Sequence, residues 1–591
     1  MILFGKTVFT YSVVTQRDCI DFSMVNTETN GIRHYEISSV YNQLDKIISS
    51  LMCGDVYWCA YNGRYHDETI LNYCIINYNE LKNKSIGDII FQIDSFANIV
   101  HTHPYQDWIN YKHAYKFNSF DLAPLFYNKG IVQFEDAVFE CLKKVVDSNI
   151  KVPKGCFLDR RTYSRELSKS NALIYNELLV EKSTDVFFRE FIEREYPIRV
   201  MNDNITTIGT KLFKLFYNTK SIFKPIDNRY SSISINDIIP KSYNFNFAGN
   251  NAFLSELRNI NINPDYVLSV VLPERIATLT SGGLKGFAEK GVFDNKSKHI
   301  YYVDFKSAWP SVAINFKITP DKMSPGAFSY ALETMLKLRG CNDSGKTYSE
   351  QFKLATNSFI GSLMLETSGV HDFKAFMTIK VMSALETISL IESLGDIDVL
   401  QINNDGIVFM SDKTKNAIRL ELDEWEEKHN IQLNFKEYKL FCQYSINDWF
   451  AVASDLNIIT SGFFKYGSSK YPLASAEAAR IAITDNINVD AAMSYIDTSM
   501  FELRRKAPEG KKFILKSPDG QHIDSGRHIS FVFAKKGVDI YLINNDNTEP
   551  KLYLKSTTYS RCAYNMIDIM LYTRIAYQLY SELTITQQKL F

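Results

Sequence analysis

Tyr301-Tyr302-Val303-Asp304-Phe305 and, further along, Val399-Leu400-Gln401-Ile402-Asn403-Asn404-Asp405-Gly406-Ile407-Val408-Phe409-Met410 decide how this chain is read. The first piece is an apolar strand with a carboxylate at its end. The second is two apolar runs around an Asp-Gly pair, a strong short-range signal for a β-hairpin. If these strands are neighbours in one sheet, Asp304 and Asp405 meet. Two carboxylates a few Å apart repel unless cations lie between them. A pair of divalent ions about 3.5–4 Å apart is the common solution, and it serves phosphoryl transfer. Alone, an Asp-Gly pair is usually only a turn, and a strand-terminal Asp is usually a cap or a surface charge. The deciding context is Asp304-Phe305-Lys306-Ser307-Ala308-Trp309-Pro310-Ser311 and, between the two acids, Lys353-Leu354-Ala355-Thr356-Asn357-Ser358-Phe359-Ile360-Gly361.

These stretches resemble the motifs of family B DNA polymerases, especially short phage members. Residues 304–311 match D-x-x-S-L-Y-P-S with Ala308 for Leu and Trp309 for Tyr. Lys353, Asn357, Ser358 and Gly361 match every fixed place of K-x-x-x-N-S-x-x-G, while D-T-D-S reads Asn403-Asn404-Asp405-Gly406, so only its second Asp is kept. The resemblance implies an α/β multidomain chain: an RNase H-like, exonuclease-type N-terminal domain followed by a right-hand polymerase. The expected partition is 1–180 for the exonuclease-like domain, 181–298 for a connecting region and the start of the palm, and 299–320 with 368–465 for the palm. Residues 321–367 would be the fingers and 466–591 the thumb.

The same resemblance implies the roles. Asp304 and Asp405 would be the catalytic acids and, with the carbonyl of Phe305, would hold two Mg²⁺ ions, with Mn²⁺ as a substitute. Ser307, Arg339, Lys353 and Asn357 would bind the incoming deoxynucleoside triphosphate. Trp309 would lie under its sugar and exclude a 2′-hydroxyl. Gly361 would leave room for the nascent base pair. Thr280-Ser281-Gly282-Gly283-Leu284-Lys285-Gly286 resembles a glycine-rich segment ahead of the first palm strand. Gly282 and Gly283 there would let backbone approach a template phosphate, or would simply make a tight turn.

Composition is compatible with this and specifies less. The 591 residues carry 66 Lys+Arg against 67 Asp+Glu, a net charge of −1, so any nucleic-acid groove must be locally basic. The nine cysteines are scattered without a Cys-x-x-Cys, which argues against a zinc ribbon and suits a reducing cytoplasm. No apolar run is long enough to span a bilayer, and Met1–Thr10 lacks a signal-peptide pattern. The expected location is cytoplasmic: the infected host cell if a phage encodes the chain.

The N-terminal region reads as a degenerate proofreading domain. Where the family's first exonuclease strand has two acids, Thr7–Thr15 has Ser12 and Val14. Asn62, Asp67, Ile70 and Leu71 fit the second exonuclease motif, with His66 for its aromatic. Asn171, on a helix expected over 164–179, falls where the third motif has Asp. Ser, Val and Asn cannot supply the charge a two-metal hydrolytic site needs, so loss of proofreading is expected. Asp67 and Asp121 would be remnants or single-strand contacts. His101-Thr102-His103 reads as solvated loop residues, not as a metal pair.

Elsewhere the pattern predicts a helix beginning at Ser183 or Thr184 as cap. A helical hairpin is expected from Tyr330–Arg339, a turn at Asn342–Lys346, and Ser349–Leu365, with Lys353, Asn357 and Gly361 on one face. Strands are expected at Phe435–Phe441 and Asn447–Ala453. Basic residues from Arg504 to Lys536, interleaved with Phe513, Phe531 and Phe533, suit duplex gripping through phosphates or an ordinary solvated surface. The gap between the first two motifs is too short for the extra segment of protein-primed phage relatives, favouring a nucleic-acid primer. The expected activity is DNA-directed primer extension on a primer-template, with replication accessory proteins as further partners. A catalytically silent DNA-binding relative and a primase-like RNA synthesiser stay open as alternatives.

Overall fold

Lys6–Gln16 (β1) is rich in β-branched and aromatic residues, and its middle is buried on both faces. It is therefore the centre of a sheet, not an edge. In the computed structural model β1 pairs antiparallel with Cys19–Asn26 (β2), which pairs antiparallel with Ile32–Ser38 (β3). On its other side β1 runs parallel to Val56–Ala60 (β4), which runs parallel to Ser119–Asp121 (β5). The helix Phe157–Glu181 (α3) lies on β1 and β2, tied by Thr10 Oγ1 to the Ala172 carbonyl at 2.8 Å and by Ser168 Oγ to the Ser12 carbonyl at 3.1 Å. Asp67–Ile76 (α1), which follows β4, and Ile86–Thr102 (α2) complete the packing around Tyr11, Phe22 and Trp58.

The structure describes residues 1–103, 108–126, 132–145, 157–218, 232–263, 267–272, 275–280, 283–340, 343–516, 522–544, 551–558 and 566–584. The chain is mixed α/β and divides into two compact units, Met1–Lys211 and Leu212–Phe591. Among the described residues no helix is long and apolar enough to cross a membrane.

The second unit is built on an antiparallel sheet of ten strands. Its path runs Ile458–Thr460 (β15), Trp449–Ala453 (β14), Leu433–Gln443 (β13), His299–Phe305 (β10), Gly406–Ser411 (β12), Asp398–Asn403 (β11), Gly283–Phe287 (β8), Arg275–Thr280 (β7) and Val267–Leu272 (β6). Gly291–Asp294 (β9) pairs with β13 beside this path. After β10 come Ala308–Asn315 (α5), Pro325–Lys337 (α6), Ser349–Ser362 (α7) and Phe373–Leu394 (α8). Helix α8 is buried on every side, and Asp372 caps its start by accepting from the Ala375 amide at 2.8 Å. A second sheet joins Leu503–Lys506, Lys511–Lys516, His522–Gly526, His528–Asn544 and Lys551–Thr558, and Ile569–Thr584 packs in the core beside it.

Local expectations needed four corrections. Helix Ser183–Glu195 (α4) already contains Ser183; Lys182 holds the cap position and no side chain caps it, because α3 ends at Glu181 and leaves no room for a longer entry. Asp343–Thr347, expected as a turn, closes one helical turn, with Asn342 outside the described residues. Phe513, Phe531 and Phe533 are 3%, 3% and 6% exposed, so they are core and cannot stack on a ligand between the surface cations. Asp448, expected inside a strand from Asn447, instead precedes β14 as a loop clasp, accepting from Ser445 Oγ at 2.7 Å and the Phe463 amide at 3.0 Å.

Candidate active site at a hairpin tip

The central strand β10 brings the two acids together. Asp304 pairs with Gly406 of β12 on one side and Asn434 of β13 on the other. Asp405 sits in the two-residue turn between β11 and β12, and its carbonyl accepts from the Phe305 amide at 3.0 Å. The left-handed residue of that turn is Asn404 (φ 62°), so the loop is Asn404-Asp405 and Gly406 opens the strand. Gly406 serves a different purpose than the Asp-Gly turn signal implied. A Cβ there would lie 3.1 Å from Asp304 Cβ and 3.3 Å from the Val303 carbonyl, closer than real Cβ contacts normally come. The missing side chain lets the hairpin tip close on the strand that carries Asp304.

The tip is held from two further elements. Asn404 donates its amide to the Leu284 carbonyl of β8 at 2.6 Å, and its own carbonyl accepts from Thr387 Oγ1 of α8 at 3.1 Å. Gly283 (φ 115°) faces Asn404 so closely that a Cβ would meet Asn404 Oδ1 at 2.3 Å. The space beside Gly283 is thus filled by the hairpin itself, which gives this glycine a packing reason; Gly282 lies outside the described residues.

Electrostatically the acids are poised for a cation. Burial first, then the charge of Asp304, pushes Asp405 up to about 6 against Lys380 and Lys353. Asp304 is also raised, by burial, although Asn434 Nδ2 donates to it at 3.2 Å and Lys436 and Lys353 favour its ionised form. A hard divalent ion would relieve both penalties, and two carboxylates with the Phe305 carbonyl form an all-oxygen donor set suited to Mg²⁺.

The residues expected to meet a nucleotide gather partly around this pair. Ser307, itself left-handed (φ 59°), sits at the start of α5 and accepts a hydrogen bond from the Arg339 guanidinium. Both line a cleft of about 680 Å³ with Lys306, Lys337, Ser349 and Gln432. Lys353 on α7 is exposed, 3.6 Å from Glu350, and its charge acts on Asp304 and Asp405 alike. Asn357 is half-buried on the same helix. An added Cβ at Gly361 would meet nothing within 4 Å, so protein packing does not explain that glycine. Trp309 is half-buried, and Lys380 Nζ lies 3.9 Å from its ring centroid. Lys380, Thr387 and Asn434 were not singled out from the sequence. The available signal was a lysine inside Met377-Thr378-Ile379-Lys380-Val381-Met382, since an ionised group in so apolar a helix must face a polar neighbour.

The acid-poor site in the first unit is arranged differently. Ser12 (1% exposed) and Val14 lie on β1, and Asn171 is half-buried on α3. Asp67 is buried; it accepts from the Val13 amide at 3.3 Å and lies 2.5 Å from His66 Nδ1. His66 Nε2 in turn meets His101 Nε2 at 2.8 Å, so His101 belongs to this chain of contacts at the end of α2 and is not a free loop residue. Asp121 accepts from the amides of Asn62, Arg64 and Ala123 at 2.7, 3.2 and 2.9 Å. Asp21, His34 and Glu36 also cluster, but Glu36 is bound by the guanidiniums of Arg161 and Arg165. Despite burial, these bonds and Ser38 hold it down at about 2. The cluster neutralises itself.

No family model matches the chain, and no curated protein matches it. Among solved structures, the chain is similar to the family B DNA polymerase from the hyperthermophilic archaeon Pyrobaculum calidifontis. The identity is 10% and the TM-score 0.45, over 99% of this chain and 78% of that one.

Proposed function

We propose that the chain is a DNA-directed DNA polymerase that extends a nucleic-acid primer by two-metal nucleotidyl transfer and lacks proofreading. The observation that carries this reading is the meeting of Asp304 and Asp405 at adjoining strand ends, with Lys353 acting on both. When bound, two Mg²⁺ ions would neutralise the paired carboxylates, lower the pKa of the primer 3′-hydroxyl and offset charge on the leaving pyrophosphate. Asp304, Asp405 and the Phe305 carbonyl would hold them.

Within this reading the other residues bind and orient. Arg339 and Lys353 neutralise triphosphate oxygens, with the Ser307 hydroxyl positioning the Arg339 guanidinium. Asn357 adds a neutral donor on the same face of α7. Trp309 lies under the sugar. Asn403, neutral where relatives often keep an acid, is tolerated because two carboxylates remain. The architecture assigned to this activity is an RNase H-like domain (1–180), a connecting region (181–298), palm (299–320 and 368–465), fingers (321–367) and thumb (466–591). The first sheet's antiparallel pairings, β1 with β2 and β2 with β3, and its parallel ones, β1 with β4 and β4 with β5, support the first assignment. The family B, phage-type kinship, the DNA and nucleotide partners, accessory proteins and a cytoplasmic site of action belong to the same proposal.

Single-primer extension with Mg²⁺ tests it. Incorporation of deoxynucleotides that disappears in Asp304→Ala is expected. A well-folded wild type without incorporation would leave the catalytically silent relative that Asn403 favours. Preference for ribonucleotides would leave the RNA synthesiser.

A further inference from the structure

We propose that Lys380 is a positioning residue that fixes the Trp309 indole, and through it helps set the choice of sugar in the incoming nucleotide. This rests on the polymerase reading above and assigns a role to a residue that lies outside all three sequence motifs.

The geometry begins with α8. Lys380 is 3% exposed on a helix buried all round, so its ammonium has few places to go. It lies over the face of Trp309, with Nζ 3.9 Å from the ring centroid, well inside cation–π range. An indole is larger than the phenol it replaces and has no hydroxyl to anchor it, so its plane needs another restraint. The cation supplies one. Thr387, two helical turns further along the same face, holds the hairpin tip by donating to the Asn404 carbonyl. One rigid helix therefore touches both the ring expected beneath the sugar and the turn that carries Asp405.

The electrostatics agree. Burial lowers Lys380 to about 8, with Lys285 adding to the effect and Asp405 opposing it. Asp405 is thus a carboxylate whose charge Lys380 feels, while its ammonium lies against the Trp309 ring. A shift of the ammonium would change both the tilt of Trp309 and the field at Asp405. A lysine kept in so costly a place is better explained by its ring contact together with its charge effect on Asp405 than by packing, which methionine would satisfy.

The experiment compares wild type, Lys380→Met, Lys380→Arg, Trp309→Phe and the Lys380→Met/Trp309→Phe double variant. Methionine conserves volume and removes only the charge, so the fold should be kept. In single-nucleotide extension, Lys380→Met should lower the deoxy-over-ribo ratio of kcat/KM about tenfold, while Lys380→Arg keeps it within about threefold. The double variant should lose no more discrimination than Trp309→Phe alone. An unchanged ratio in Lys380→Met, or an equal further loss in the Trp309→Phe background, overturns the proposal. Tryptophan emission gives a readout independent of turnover: the change caused by Lys380→Met should vanish when Trp309 is Phe, and its persistence refutes the contact. If the wild type incorporates nothing, the polymerase reading fails and takes the sugar role with it. The emission cycle then still decides whether Lys380 orders Trp309.

Discussion

Asp121 in the first unit and Asp405 in the second are both carboxylates at strand ends, and burial pushes each up to about 6. Their surroundings differ. Asp121 receives three backbone amides from the loops that follow β4 and β5, so its oxygens serve the chain's own turns. Asp405 faces a second acid, Asp304, whose side-chain donor is a single exposed asparagine. A second acid is near in both places, since burial and the charge of Asp121 push Glu68 up to about 7. What differs is that the Asp121 oxygens are taken by backbone amides, whereas the Asp304 carboxylate receives one exposed side-chain donor and leaves the pair open to an external cation. Asp67 sides with Asp121: its partners are the Val13 amide and the His66 ring.

The largest expected effect separates the two regions directly. Asp304→Ala or Asp405→Ala should reduce Mg²⁺-dependent primer extension by about a thousandfold or more, whereas Asp67→Ala should leave extension rates near wild type. Metal-dependent 3′–5′ degradation of single-stranded DNA that Asp67→Ala abolished would break the contrast, because the first unit would then be a working nuclease.

Next in size is Gly406→Ala. Moving the hairpin tip away from Asp304 by a few tenths of an ångström or more should cost about tenfold to a hundredfold in rate, with binding of primer-template in a gel-shift assay largely kept. Wild-type rates in this variant would show that the acids need not approach so closely.

A smaller effect is visible without turnover. The folded pKa of Asp405 lies above its unfolded value of about 4, so its contribution to stability is complete below that value and is lost as pH rises through about 6. Free of metal, the wild type should lose stability relative to Asp405→Asn between about pH 4 and 7. Mg²⁺ should raise the melting temperature of the wild type by about 2 °C near neutral pH, less at pH 5, and not in Asp405→Asn. An equal Mg²⁺ shift in both proteins would place the ion elsewhere. Smallest of all, Asn403→Ala should change extension by less than about threefold. Loss of activity there, with Asp405→Ala still active, would mean that the acids have been assigned in the wrong register.

The site's strands were legible because their signals are local. Apolar runs with an acid at the end, and a turn pair between apolar runs, announce a sheet and a hairpin before any packing is known. Ser307 and Lys353 could be found through motif spacing. Lys380 and Thr387 could not, because α8 places them beside the hairpin tip by tertiary packing, and in sequence they read as two polar residues in an apolar helix. The role of Gly406 was misplaced for a similar reason: turn chemistry explains a glycine after Asp by its φ, while here a side chain would crowd the neighbouring strand and push it back by a few tenths of an ångström. Phe513, Phe531 and Phe533 show the converse error, since alternation with lysines suggested a surface when it was the period of a strand with one buried face.

The contact between Gly406 and Asp304 leaves this chain little freedom to vary. Randomising codon 406 and selecting for function should return glycine almost alone, while codon 403, one turn away, should admit many residues. That asymmetry would arise from van der Waals radii alone, and it would persist in any lineage that keeps two acids on facing strands.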